Sequence, residues 1–142
     1  MSENQRHVLG FPEMDIQHQY LYGLFDLIGT VQNSSGRFSL QPLLDEIELY
    51  VNFHFTSEEN LMKLYEYPRF SAHQSDHELA AAKLVNFLED YEKEQLNPAA
   101  LRIFLTGWLM EHSETADSDY VNWIEQRRKA VWGQEPIKPG EY

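Results

Sequence analysis

The sequence has no cysteine among its 142 residues. That absence excludes disulfides, thiolate zinc sites, iron–sulfur clusters and cysteine nucleophiles together. Positive charge is scarce: 11 Lys+Arg stand against 23 Asp+Glu, a formal net charge of -12. A surface of that sign repels phosphate backbones and anionic membranes, so neither nucleic acid nor a lipid surface is an expected partner. No apolar run approaches the roughly 20 residues that a membrane-spanning helix needs. Residues 1–7 are polar and lack the basic start and apolar stretch of a secretory signal, so the chain is expected in the cytoplasm. Internal repeats, low-complexity tracts and strand-like alternation are absent too.

What remains is a globular composition, 42% hydrophobic and 13% aromatic, at a length that fits one domain with a real core. Four segments carry helical periodicity. The first follows Asp15, read as an N-cap, with its stripe at Tyr20, Leu21, Leu24, Leu27, Ile28 and Val31, and stops in the turn at residues 33–36. The second runs from about Gln41 to Tyr65 with Pro42 in its first turn, carries Leu43, Leu44, Ile47, Tyr50, Val51, His54, Glu58 and Leu61 inward, and is ended by residues 66–68. Ser71 with Gln74 reads as a capping box for the third, whose stripe includes His73, His77, Ala80, Leu84 and Phe87. Asn97-Pro98 opens the fourth, with Leu101, Phe104, Leu105, Trp108, Leu109, His112, Ala116, Tyr120 and Ile124 inward. Short connections between amphipathic helices make this an all-α protein, an up-down-up-down antiparallel four-helix bundle. One domain covers 1–142: an N-terminal arm over 1–14 anchored by Phe11, a bundle over about 15–131, and a short tail over 132–142.

The histidines carry the chemistry. Of the six present, His18, His54, His73, His77 and His112 fall on or beside the inward stripes. A single inward histidine is ordinarily a hydrogen-bonded core residue. Five together would bury several kcal/mol of unmet polar groups unless something engages their nitrogens, and metal coordination does so. His73 and His77 are four apart and point the same way from one helix, as do His54 and Glu58. In an up-down bundle these residues, with His112 and Asp117, all fall in the same half. His112 and Asp117 are five apart, about 140° around an ideal helix, so either the inward face is wide there or the helix carries a π-bulge; a distortion is expected between Leu109 and Tyr120. Seven ligands exceed the usual ceiling of one first-row ion. Two ions sharing both carboxylates give a sensible count: one with three imidazoles and no vacancy, the other with two imidazoles and an open place for a small ligand.

In this respect the chain resembles the hemerythrin family in its bacterial single-domain form. The matching pieces are Asp15 to His18, His54 through Glu58 and Glu59 to Met62, Tyr67-Pro68, His73 through His77, and Trp108 to His112 followed by Asp117 and Tyr120. The resemblance covers roughly residues 8–130 and every ligand position. It implies a non-haem pair of irons, bridged by carboxylates and by an oxo or hydroxo group. His73, His77 and His112 would hold one iron, His18 and His54 the other, with Glu58 and Asp117 bridging. Molecular oxygen would be taken at the two-histidine iron, with both irons supplying electrons, for storage, transport or buffering. Iron itself comes from the resemblance alone, since imidazole and carboxylate also suit zinc, copper or nickel. Leu109, Ser113 and Trp108 are expected to wall the oxygen pocket. Ser113 departs from the bulky aliphatic residue usual there, and its hydroxyl is expected to admit water and speed autoxidation relative to Ser113→Ile.

The remaining residues have ordinary readings. Trp108 packs the core, Tyr120 bonds one helix to another near the site, Glu111 and Glu114 face solvent, and Glu59 faces solvent or else supports a metal ligand, with solvent preferred. Asp15 caps a helix close to His18, and His7 lies on the surface. Five imidazoles with two carboxylates donate less charge to iron than carboxylate-rich enzyme sites do, so binding is favoured over activation. The rival readings are an oxygen or redox sensor and an enzyme consuming peroxide or nitric oxide. Weaker still are an iron store and a zinc-bound structural bundle.

Overall fold

The computed structural model describes residues 6–132, which form four helical rods joined by short connections. These are α1 (Pro12–Gln32), α2 (Gln41–Leu64), α3 (Phe70–Glu92) and a fourth rod built from three pieces. The pieces are α4 (Pro98–His112), a π-helical turn (Ser113–Asp117) and α5 (Ser118–Trp132). The chain stays right-handed helical through the junctions, with φ -63° and ψ -43° at Ser113 and φ -59° and ψ -38° at Ser118. α1 packs on α2 and α4, and α3 on α2 and α4, as in an up-down-up-down antiparallel bundle. The expected tail from 133 onward lies outside the described residues.

The helix starts show where local sequence rules hold. Asn97 caps α4 as expected, its side-chain oxygen accepting from the Ala100 amide at 3.1 Å. Asp15 is not a cap. α1 opens three residues earlier at Pro12, which needs no N–H partner in that position, and Phe11 stands at the boundary. Asp15, in the first turn, instead accepts from the amides of Leu9 at 2.8 Å and Gly10 at 3.0 Å, folding the arm back onto the helix. The Ser71–Gln74 capping box does not form either: α3 opens at Phe70, and Gln74 reaches across to α2.

The inward face of α1 is centred on His18, Leu21, Phe25 and Ile28, which follow the three- and four-residue helical spacing. Tyr22 is buried beside them. Tyr20 and Leu27 are turned out, 43% and 46% exposed, and the Tyr20 hydroxyl donates to Glu46 at 2.6 Å.

Two apolar clusters fill the bundle. One joins Leu21, Phe25 and Ile28 to Leu44, Ile47, Val51, Leu84, Leu101 and Leu105. The other gathers Phe11, Met14, Met62, Tyr67, Tyr120 and Ile124. Phe11 is 1% exposed, so it does anchor the arm, and the Arg128 guanidinium lies 5.1 Å over its ring. A buried side chain of this size contributes about 1.5–3 kcal/mol, which gives the polar layer between the clusters a rigid floor and roof.

Candidate metal centre

That polar layer holds all seven expected residues. His18 comes from α1, His54 and Glu58 from α2, His73 and His77 from α3, and His112 and Asp117 from the ends of α4 and the π turn; each is buried. The π turn is the distortion that the five-residue spacing demands. It reduces the rotation per residue and brings Asp117 back onto the face of His112.

The ligand atoms converge on one space. Glu58 Oε1 is 3.1 Å from His54 Nε2 and 3.2 Å from His77 Nε2. Asp117 Oδ1 is 3.1 Å from His73 Nε2 and 3.2 Å from His112 Nε2, while its Oδ2 is 3.3 Å from His18 Nε2. Nitrogen also faces nitrogen, His18 Nε2 to His54 Nε2 at 3.1 Å and His73 Nε2 to His112 Nε2 at 3.0 Å. Two overlapping donor sets result. Glu58, His73, His77, His112 and Asp117 form one, and His18, His54, Glu58 and Asp117 the other, the atoms of each lying within 4.8 Å of one another.

These residues fit a bound metal. All four carboxylate oxygens of Glu58 and Asp117 are buried without a hydrogen bond, although imidazole nitrogens surround them. Lone pairs aimed at a common space without protons between them want a cation. Donors about 2.1 Å from an ion at right angles would stand roughly 3.0 Å apart, as the nitrogens do here.

Electrostatics agree. Burial alone would push the Glu58 carboxyl up, and the Asp117 charge adds to that, but His54 and His77 hold it down at about 2. Burial also opposes ionisation of Asp117, yet His112, His18 and His73 keep it well below the usual carboxylate range. Burial lowers His18 and His77, but Asp117 for the first and Glu58 and Glu59 for the second raise both overall. Burial dominates at His54, which is lowered. Two buried carboxylates thus stay ionised and draw positive charge from protons or from metal.

Outer contacts orient the rings. His54 Nδ1 donates to Gln17 Oε1 at 2.7 Å, and His77 Nδ1 to Glu59 Oε2 at 2.8 Å, while Gln74 donates to Glu59 Oε1 at 3.1 Å. Such partners leave Nε2 as the free donor to a metal. Glu59 therefore does not simply face solvent. It lies about 100° around α2 from Glu58 and meets α3. Gln17 gave no signal beyond adjacency to His18, since its role depends on how α1 faces α2.

The expected pocket residues divide. Trp108 stacks on His112, with ring centroids 4.4 Å apart, and meets Phe55 edge-on at 5.3 Å. It lies on the three-histidine half, where Phe55 also stacks on His77 at 4.0 Å. Leu109 and Ser113 are buried. The Ser113 hydroxyl is engaged by His7 Nδ1 at 3.0 Å, so His7 is half-buried and ties the arm to the π turn instead of lying free on the surface. The Tyr120 hydroxyl on α5 faces the Glu58 carboxylate on α2, the cross-helix contact expected of it. Tyr120 is buried edge-on to His73, centroids 5.2 Å apart, and burial, then the Glu58 and Asp117 charges, push its hydroxyl well above the usual phenol range. Glu111 and Glu114 are exposed, as expected.

Comparison with known proteins places this geometry. Residues 9–124 match the family model described as the hemerythrin HHE cation binding domain. The chain is 26% identical to a bacteriohemerythrin of Stenotrophomonas maltophilia over 117 residues, covering 82% of this chain and 76% of the relative. It is 29% identical to a bacteriohemerythrin of Methylococcus capsulatus over 112 residues, covering 75% and 82% respectively. A bacteriohemerythrin of Campylobacter jejuni is 26% identical over 127 residues, covering 82% of this chain and 89% of its own length. No solved structure matches the chain.

Proposed function

We propose, from the premise that this chain belongs to the hemerythrin family, that it holds two iron ions in the polar layer and binds molecular oxygen reversibly. The observation that carries this reading is the unequal pair of donor sets. Three imidazoles serve one ion and two the other, with Glu58 and Asp117 common to both. Five neutral imidazoles and two carboxylates suit iron in its lower oxidation states. The two-histidine side, with fewer protein donors, leaves room for a small ligand.

Iron supplies the electrons and the open coordination place by which oxygen would be held. The chain's own residues do the rest. His54 and His77 are fixed in orientation by Gln17 and Glu59. Leu109 and Val51, buried in the adjoining apolar cluster, keep bulk water from the centre on that side. Dry surroundings discourage escape of reduced oxygen species and so favour binding over consumption.

The test is direct. Reduced anaerobically and then exposed to oxygen, the iron-loaded protein should take up one oxygen per two irons. A visible charge-transfer band should appear and then vanish under argon. Sustained consumption of oxygen, peroxide or nitric oxide with an electron donor would replace this reading with an enzyme. A colourless zinc protein would end it.

Glu59 offers a separate check. Glu59→Ala should weaken metal retention by about 10- to 100-fold, the usual effect of losing a group that orients a histidine ligand. Chelator competition reads this, and unchanged retention would remove Glu59 from the centre's support.

A further inference from the structure

A second polar feature lies beneath the arm, and the metal centre does not account for it. A cavity of about 200 Å³ is lined by Arg6, His7, Asp15, His18 and Tyr22, among others. Among the described residues, three buried atoms on those side chains have no hydrogen-bond partner: Arg6 Nε, Tyr22 Oη and His18 Nδ1. Tyr22 and His18 are each only 2% exposed. A buried donor left unmet forfeits its hydration without replacement, so three around one space point to a resident that meets them.

All three are donors. Arg6 Nε and the tyrosine hydroxyl carry hydrogens. His18 turns Nε2 into the metal centre, 3.1 Å from His54 Nε2, so its Nδ1 carries the proton. Arg6 Nη2 is taken, donating to Asp26 at 2.9 and 3.0 Å, and the guanidinium lies 4.4 Å over the Tyr22 ring. The acid on the cavity wall, Asp15, accepts from the Leu9 and Gly10 amides. The resident is therefore an acceptor.

Charge selects its class. Two divalent ions held by Glu58 and Asp117 leave positive charge that neutral imidazoles do not offset. Glu59 offsets part of it on the His77 side, away from this cavity, and both Asp15 oxygens are turned to the arm amides. A bridging hydroxide removes only part. We propose that the cavity is an outer site for one small monovalent anion, of the size of bromide or formate, held by Arg6 Nε, Tyr22 Oη and His18 Nδ1. An acceptor on His18 Nδ1 makes that ring a stronger donor to its ion, so occupancy of the cavity is coupled to the two-histidine half of the centre. This inference rests on the metal reading above.

Bromide tests it, because its anomalous scattering locates it. Metal content is measured first. Crystals of the loaded protein soaked in bromide should show one ion in the cavity, within hydrogen-bond reach of the three donors. Calorimetry should give one site per chain, weakened about tenfold by Tyr22→Phe, which deletes one donor and keeps the ring under Arg6. A loaded protein with bromide only on the metals, or with none, overturns the anion site alone, as does unchanged affinity in Tyr22→Phe. A chain that holds no metal overturns both readings.

Discussion

Asp117→Ala is expected to reduce the iron bound per chain from two to at most one and to abolish the oxygen-dependent band. Asp117 is the residue whose two oxygens divide between the halves of the centre. Oδ1 stands 3.1 and 3.2 Å from His73 and His112, and Oδ2 stands 3.3 Å from His18. Glu58 also reaches both donor sets, but it approaches His54 and His77 through the same oxygen, Oε1. If the centre holds the two irons proposed, removing Asp117 would take a ligand from each ion and a negative charge from between two positive ones. Asp117→Asn separates these effects, keeping the shape while losing the charge, and should retain less metal than the parent. Metal analysis of the purified variants decides it. Two irons retained in Asp117→Ala would show that the carboxylate does not bridge.

Stripping the metal should destabilise the bundle strongly and reverse its response to pH. Two ions, each present at about a thousand times its dissociation constant, add roughly 8 kcal/mol. In a domain of this size that is on the order of 25 °C in melting temperature. The loaded protein should weaken on acidification, because protons compete for the ligand nitrogens.

The metal-free protein should behave differently. His18 and His77 sit above their ordinary 6.5, so their stabilisation is complete below that value and lost as pH rises through the raised ones. Glu58, at about 2 against an ordinary 4.5, stabilises above 4.5 and loses that contribution as pH falls. His54 is lowered and opposes the other two histidines, losing stability as pH drops. Stability of the stripped protein should peak between the ordinary carboxyl and imidazole values and decline toward pH 8. Thermal scans of both forms across that range read the difference. A stripped protein that grows steadily more stable up to pH 8 would contradict the carboxylate–imidazole pairing described above.

The interaction between Ser113 and His7 changes how one sequence expectation can be examined. Ser113→Ile removes a hydroxyl from beside the centre, but it also removes the partner of His7 Nδ1. A slower autoxidation in that variant would therefore not isolate wetting of the pocket. His7→Ala, with Ser113 intact, separates release of the arm from loss of the hydroxyl.

Periodicity made the four rods legible, along with the inward placement of the seven polar residues. Spacing alone made the π turn legible, because no regular α-helix puts residues 112 and 117 on one face. The errors cluster at helix starts and on α1. Asp15 has cap chemistry, yet Pro12 can begin a helix earlier, and the arm amides then claim the carboxylate. Glu59 reads as a solvent-facing acid and Gln74 as a capping-box partner until α2 and α3 are laid side by side. His7 and Arg6 gave no periodic signal, since a short extended arm has none.

The order and type of residues along the chain determined an all-α bundle and the makeup of its polar layer. Apolar periodicity decides which side of a helix leaves water, and the histidines share that side. Tertiary packing alone decided which nitrogen meets which oxygen, how Gln17 and Glu59 lock two rings, and that Arg6, Tyr22 and His18 enclose a cavity. Those contacts join residues far apart in sequence on different rods and on the arm, and their distances depend on how the rods lie against one another, which no spacing within a single helix encodes.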